Sequence, residues 1–246
     1  MEVEIKDIDL FKKLMDTVGS LMQDVSLDFN ESGFAVKAMD PANIAMILFD
    51  GKKGLFSKFE VDKPTKISVS LIDMNSILKF IRKDDRLKRT EAKGKLHMDV
   101  LGKNKMSFVI PLIDENYTAQ KVPQLNFTAE ATLLSSVIKE ALKVGLTVDD
   151  SLSFTIDGNK FSLSAKSEEK EFLEELNINE NKELFDLKSE GLTKSKFSIE
   201  YLSKFFAAID PEKQIKLSMS NNYPLRLDHE LSEDAKIAMV LANRLE

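Results

Sequence analysis

The chain states one pattern twice, and a repeat of about half the length constrains the fold more tightly than any single motif. A helix-like run ending at Gly19 leads into VSLDFNESGFAVKAMD (25–40), and a second ending at Gly145 leads into LSFTIDGNKFSLSAKS (152–167). Further on, VSLIDMNSILKFI (69–81) returns in outline as FSIEYLSKFFAAI (197–209). The offset is 126 at the glycines and 128 at the later helices, in a chain of 246 residues. Two copies of one unit, with no obvious catalytic residue, place function in the assembled shape.

Four segments carry helical periodicity, roughly 8–22, 72–82, 133–144 and 199–209, and short alternating runs between them read as strands. Asn30-Glu31-Ser32-Gly33 and Asp157-Gly158-Asn159 occupy matching places and suit tight hairpin turns. Ser70 and Ser198 each precede a helical run, where a hydroxyl can cap free backbone N–H groups. The helices begin about 61 to 66 residues apart, so each half is expected to hold two β-α-β-β-β units in an α+β fold. The segment IDENYTAQKVPQLNF (113–127), with Pro123, lacks periodicity and reads as an extended connector. It separates an expected N-terminal domain (1–112) from a C-terminal one (128–246).

Net charge is −6, with 35 basic residues against 41 acidic ones, which at first sight disfavours a polyanionic partner. Distribution reverses that reading. On helical wheels, Ile8, Phe11, Met15, Val18 and Met22 point inward in the first helix, while Asp9, Lys12, Lys13 and Asp16 point out. The second turns Met74, Ile77, Leu78 and Ile81 in, and Lys79, Arg82 and Lys83 out. In the third, Leu133, Val137, Ala141 and Val144 face in, and Lys139, Glu140 and Lys143 face out. The fourth buries Leu202, Phe205, Phe206 and Ile209 and exposes Glu200, Ser203 and Lys204. Eight basic residues thus stand against four acidic ones on the polar arcs of an acidic chain. A phosphate-binding surface requires that split, although lysines on one helix face are also what plain solvation produces.

Two further strands have a double reading. KMSFVIPL (105–112) alternates Met106, Phe108 and Ile110 with Ser107 and Val109, and KEFLEELNI (170–178) alternates Phe172, Leu176 and Ile178 with charged positions. They are either ordinary strands inside a sheet or sheet edges that pair with another chain. Because the two segments differ, pairing between them would be head-to-tail, a geometry that can close into a ring.

Other classes lack their residues. With no cysteine, disulfides and thiolate metal sites are excluded. His97 and His229 are far apart in sequence, and neighbours such as Asp228-His229-Glu230 on a strand do not all point one way. No phosphate-binding glycine loop is present, no cofactor is implied, and no apolar run approaches the roughly 18–20 residues of a membrane helix. The expected location is cytoplasmic.

Several collinear segments resemble the sliding clamps of the proliferating cell nuclear antigen type, particularly archaeal ones. They are LFKKLMDTVGSL, GFAVKAMDPANIAMI, VPQLNFTAE, YLSKFF, and KLSMSNNYPLRLDHEL running into MVLANRLE. The resemblance spans essentially the whole chain. It implies two similar domains per chain and three chains, copies or paralogues, closing into a ring lined by helices and walled by sheet. Such a ring encircles double-stranded DNA without regard to sequence, is loaded by an external ATP-driven machine, and tethers polymerases, ligases and nucleases. A heteromeric or damage-signalling ring subunit and a monomeric processivity factor are the alternatives.

By position, the resemblance assigns Lys12, Lys13, Lys79, Lys139, Lys143 and Lys204 to the DNA-facing surface, and the wheel adds Arg82 and Lys83. It maps the pocket for a client's short hydrophobic and aromatic motif to Met39, Asn43, Ile44, Val122, Pro123, Pro224, Leu225, Val240, Leu241 and Ala242. Where relatives commonly have Ala-Pro near the C-terminus, this chain has Ala242-Asn243, from which a looser tail is expected. Gly19 and Ser76 replace common lysines, and Gln120 replaces a common apolar anchor in the connector.

Overall fold

The computed structural model describes residues 1–83, 85–92, 94–113, 122–207 and 209–245; Gln120 and most of the connector lie outside them. In chain order the first half runs β1 (Glu2–Ile5), α1 (Ile8–Gly19), β2 (Asp24–Asn30), β3 (Gly33–Met39), β4 (Ala45–Lys52), β5 (Phe56–Glu60), β6 (Thr65–Ser70), α2 (Leu71–Leu78), β7 (Arg86–Ala92), β8 (Lys95–Leu101) and β9 (Lys105–Pro111). The second half repeats that order. It runs β10 (Ala129–Leu134), α3 (Ser135–Gly145), β11 (Ser151–Asp157), β12 (Lys160–Lys166), β13 (Glu171–Asn177), β14 (Leu184–Ser189), β15 (Thr193–Ser198), α4 (Ile199–Phe206), β16 (Gln214–Met219), β17 (Leu225–Ser232) and β18 (Ala235–Leu241). The β-α-β-β-β sub-repeat is present, with one strand more in the first copy of each half, β5 and β14.

Strand neighbours repeat as well. The run β5-β1-β7-β8-β9 corresponds to β14-β10-β16-β17-β18, and β4-β3-β2-β6 corresponds to β13-β12-β11-β15. Packing separates two compact units, one of Met1–Pro41, Ile47–Lys121 and Leu231–Ile237, the other of Ala42–Met46, Val122–Glu230 and Ala238–Glu246. The hairpins form where the turn residues stand: Asn30 pairs with Gly33 and Asp157 with Lys160, across two residues each. Gly158 takes φ 56°, and a Cβ on Gly33 would lie 1.9 Å from the Gly51 carbonyl oxygen.

Helix ends show how the duplicated sequence closes its turns. Asp7, missed by the sequence reading, caps α1 by accepting from the Leu10 N–H at 2.9 Å. Ser70 caps α2 through the Asp73 N–H. Ser198 occupies the same position before α4 but makes no side-chain cap hydrogen bond. The first residue of each second helix is held by a backbone bond to the residue just before β2 or β11, Leu71 N–H to the Gln23 carbonyl at 2.7 Å and Ile199 N–H to the Asp150 carbonyl at 3.0 Å. The two repeat glycines permit close approach of helices. A Cβ on Gly19 would meet the Asn75 amide at 2.7 Å, and one on Gly145 would meet Leu152 at 3.0 Å and Ile199 at 3.3 Å.

The wheel holds for α1, α2 and α4, whose inward residues are all buried. It fails at both ends of the third helix. Leu133 is buried in β10, since the helix starts only at Ser135, and Val144 is exposed because Ile138, Leu142 and Gly145 complete the buried stripe.

In the first unit, Phe34 lies within 6.4 Å of Phe11, Phe29, Phe49 and Phe56, centroid to centroid, so α1 and both strand runs share one aromatic core. Against it lies Arg89 of β7, fully buried, with its guanidinium 4.6 Å from the Phe11 ring and 5.6 Å from Phe29. Among the described residues its side-chain nitrogens have no hydrogen-bond partner, and burial pushes its pKa down to about 9. Arg89 stands opposite Val3; at the matching rung of the second unit, opposite Ala131, the residue is Leu217. Aromatic faces offset only part of the cost of a desolvated charge. Arg89→Leu is therefore expected to stabilise the fold by about 1–4 kcal/mol, seen as a higher melting temperature in calorimetry. A melting temperature lowered by the substitution would show that the guanidinium contributes net stability.

Candidate functional site

The basic side chains singled out on the helices divide into two groups. Lys12 and Lys139, at equivalent places on α1 and α3, each reach across to the turn that follows the paired helix. Lys12 Nζ donates to the Ile81 carbonyl, and Lys139 Nζ donates to the Ile209 carbonyl at 2.7 Å. An ammonium at a helix C-terminus satisfies a free carbonyl and complements the dipole. Lys204 is held by Glu200 at 2.6 Å, one turn back, and lies 5.6 Å from the Tyr201 ring centroid. Lys13, Lys79, Arg82, Lys83 and Lys143 are exposed and make no ion pair among the described residues. These five carry charge that is open to solvent.

The helix ends of the two units have diverged. The segment after α2 reads Lys79-Phe80-Ile81-Arg82-Lys83, whereas the matching segment after α4 reads Ala207-Ala208-Ile209-Asp210-Pro211. Only the buried isoleucine is kept, because it supplies the carbonyl that the opposite lysine caps.

Most of the residues mapped to the client pocket lie in the second unit. The Ala242 N–H donates to the Ile44 carbonyl at 2.8 Å, so the C-terminal strand end and the loop at 41–44 form one surface. Asn43 sits in that loop at φ 57°, a left-handed conformation that asparagine tolerates well. Ile44, Val122, Pro123, Pro224 and Ala242 are accessible, whereas Leu225, Val240 and Leu241 are buried. Met39 is half-buried at the end of β3 in the first unit.

Sequence reasoning missed Tyr223 and Phe127, whose rings meet edge-on at 6.0 Å, and Arg244. The Arg244 N–H donates to the Lys196 carbonyl at 2.7 Å, and its guanidinium pairs with Asp150. The tail is thus pinned on both sides of Asn243, where a looser tail was expected. Long-range pairing of this kind leaves no local signal in the sequence.

Strands β9 and β13 both lie at the ends of their runs. Met106, Phe108 and Phe172 are half-buried there, while Ile110 and Leu176 are buried within their own units. Ile178 falls just beyond β13, with its N–H bonded to the Asn159 carbonyl at 3.0 Å. On the opposite face of each strand, Val109 and Leu173 are exposed large apolar residues that the alternation did not single out.

Among the described residues, no group of three or more His, Cys, Asp or Glu side chains could hold a metal ion, and no helix is long and apolar enough to cross a membrane. His229 is buried, with Nδ1 2.9 Å from the Gln214 carbonyl oxygen, and burial pushes its pKa down.

A doubled unit of two helices and two antiparallel strand runs, with basic side chains on the helices, is the make-up of a DNA-clamp protein. Residues 1–109 match the N-terminal domain of proliferating cell nuclear antigen. The chain is 31% identical over 237 residues to DNA polymerase sliding clamp 1 of Thermococcus kodakarensis, covering 96% of this chain and 95% of that one. It is 28% identical over 246 residues to the sliding clamp of Pyrococcus furiosus, covering 100% and 98%. Among solved structures, proliferating cell nuclear antigen from Thermococcus kodakaraensis superposes with a TM-score of 0.92 at 24% identity, over 99% of both chains. The protein of A. fulgidus, bound to the C-terminal region of FEN-1, gives 0.90 at 25% identity, over 100% and 98%. The chain belongs to the sliding-clamp family of the proliferating cell nuclear antigen type.

The capping role separates Lys139 from its neighbour on the same helix. Lys139→Met keeps the aliphatic stem but loses the donor, and is expected to cost about 1 kcal/mol. Lys143→Met should leave the melting temperature unchanged. Equal thermal shifts for the two variants would contradict the cap.

Proposed function

We propose that this chain is a DNA polymerase processivity factor. Copies close head to tail, three to a ring, around duplex DNA, and the ring tethers polymerase, ligase and nuclease clients to the template. It is loaded by an external ATP-driven machine and carries no catalytic role of its own. The observation that carries the reading is the open positive charge of Lys13 on α1, Lys143 on α3 and Lys79, Arg82 and Lys83 just after α2, in a chain whose net charge is −6. A surface of that kind binds phosphates without reading bases, so the ring can slide.

The roles divide by geometry. Lys13, Lys79, Arg82, Lys83 and Lys143 are the phosphate contacts, while Lys12 and Lys139 tie α1 and α3 to the turns after their paired helices and Lys204 pairs with Glu200 on its own helix. Ile44, Val122, Pro123, Pro224 and Ala242 of the second unit receive a client's hydrophobic and aromatic plug, with Asn43 in the same loop as Ile44 and with Leu225, Val240 and Leu241 buried in that unit. The A. fulgidus relative bound to the C-terminal region of FEN-1 supports a short peptide as the ligand class. Strands β9 and β13 join neighbouring copies through Met106, Phe108 and Phe172.

Replacing Lys13, Lys83 and Lys143 with alanine should weaken stimulation of a DNA polymerase and flatten its salt dependence, because fewer counterions are released on binding. Stimulation that matches the parent chain at every salt concentration would remove the phosphate assignment. Ile44→Ser combined with Val122→Ser should reduce affinity for a client peptide at least tenfold while leaving assembly intact. Titration calorimetry returning undiminished affinity would rule out the pocket.

A further inference from the structure

Two charge pairs fasten the 242–244 segment in the second unit. Beyond β18 these residues run on to β15, which ends the strand run β13-β12-β11-β15. Lys196 of β15 and Arg244 form an isolated antiparallel bridge, closed by the Arg244 N–H on the Lys196 carbonyl at 2.7 Å. The side chains of the same two residues reach one short segment after α3. Lys196 Nζ lies 3.0 Å from an Asp149 carboxylate oxygen, and the Arg244 guanidinium pairs with Asp150. Asp149 also accepts from the Ser151 hydroxyl at 2.9 Å and from the Asp150 N–H at 2.8 Å. Burial works against its charge, but Lys196, Ser151 and the Asp150 N–H together hold the carboxyl below its ordinary range.

The first unit makes the same backbone crossing with none of these charges. There the Ile113 N–H, beyond β9, donates to the Ser68 carbonyl of β6 at 2.8 Å. The Gln23 carbonyl accepts the first N–H of α2 as the Asp150 carbonyl accepts that of α4. Matched through these bonds, Asp149, Asp150, Lys196 and Arg244 correspond to Met22, Gln23, Ser68 and Ile113. The shared framework needs only the backbone bond. The ion pairs are an addition, confined to the copy whose final strand runs into Ala242 of the client pocket.

Folding stability does not account for that addition. The Arg244 and Asp150 side chains are 41% and 67% exposed, and ion pairs open to solvent contribute little to it. Their effect is on the freedom of one segment. Ala242, two residues before Arg244, donates to the Ile44 carbonyl at 2.8 Å, and both residues are accessible. A surface already held in its binding form takes up a ligand without the cost of being ordered.

We propose that Arg244 is a positioning residue for the client pocket. Paired with Asp150, and supported by Lys196 on Asp149, it holds the 242–244 segment on β15 and so keeps Ala242 and Ile44 in place for a client's apolar side chains. The inference rests on the pocket reading above and adds to it a means of regulation. Because the pair is exposed, dissolved salt screens it, and the pocket slackens as ionic strength rises. The affinity of a client that carries no charge at all then depends on salt.

Titration calorimetry of the full chain tests this with a capped synthetic peptide that carries hydrophobic and aromatic side chains and no charged ones. From about 0.1 M to about 1 M salt the screening length falls from about 10 Å to about 3 Å. Over that range the parent chain is expected to lose affinity about fivefold. Arg244→Met should bind about fivefold more weakly at low salt, show no further loss as salt rises, and meet the parent at the high-salt end. Asp150→Asn should behave in the same way, and Arg244→Lys should recover most of the affinity and its salt dependence. Melting temperatures should stay within a degree or two of the parent, since the pair is exposed. Arg244→Met matching the parent at every salt concentration, while Ile44→Ser with Val122→Ser loses the peptide, overturns the positioning role and leaves the pocket standing. Arg244→Lys as weak as Arg244→Met overturns the charge as the cause. A parent chain that does not bind the peptide overturns the pocket reading and this inference with it.

Discussion

Everything the helices present depends on how closely each pair is drawn together. In both units a glycine ends the first helix where a side chain would crowd its surroundings, and a lysine from that helix ties down a carbonyl in the turn just past the second, Ile81 or Ile209. Close packing without a Cβ and a charged donor on a free carbonyl are short-range effects, and each contributes on the order of 1 kcal/mol. Their importance lies in direction. They fix the rotation of each helix, and rotation decides whether a lysine meets solvent or core.

That dependence explains why the fold was largely legible in the sequence and the site less so. The duplicated glycines, the alternating strands and the turn residues report local backbone preference, which a repeat displays twice. Helix faces followed from a 100° wheel wherever the helix was regular. The third helix departed from the wheel because its starting point could not be read: Leu133 belongs to the strand before it, and the buried stripe ends at Gly145 instead of Val144. Function was legible in a different way. Charge on the polar arcs is visible from composition, but whether a lysine is open or engaged depends on a carbonyl some 70 residues away. The tail bonds to Ile44 and Lys196 are equally remote, so a substitution at Asn243 suggested slackness where two backbone hydrogen bonds impose order.

Arg89 shows the other side of duplication. One copy has leucine at its rung, and the other has a buried cation with the rings of Phe11 and Phe29 beside it. Copies that share a framework are free to diverge where the remaining packing is strong enough. The same freedom separates the basic segment after α2 from its neutral to acidic counterpart after α4.

The unlikeness of β9 and β13 has a consequence for orientation. Since neither edge resembles the other in sequence or charge, successive copies can add in one sense only, as people do in a queue. An annulus made that way has a front and a back. In the proposed ring, the client docking sites would then open toward the same side, and a ring travelling along the double helix would have a leading and a trailing surface even without reading the bases beneath it.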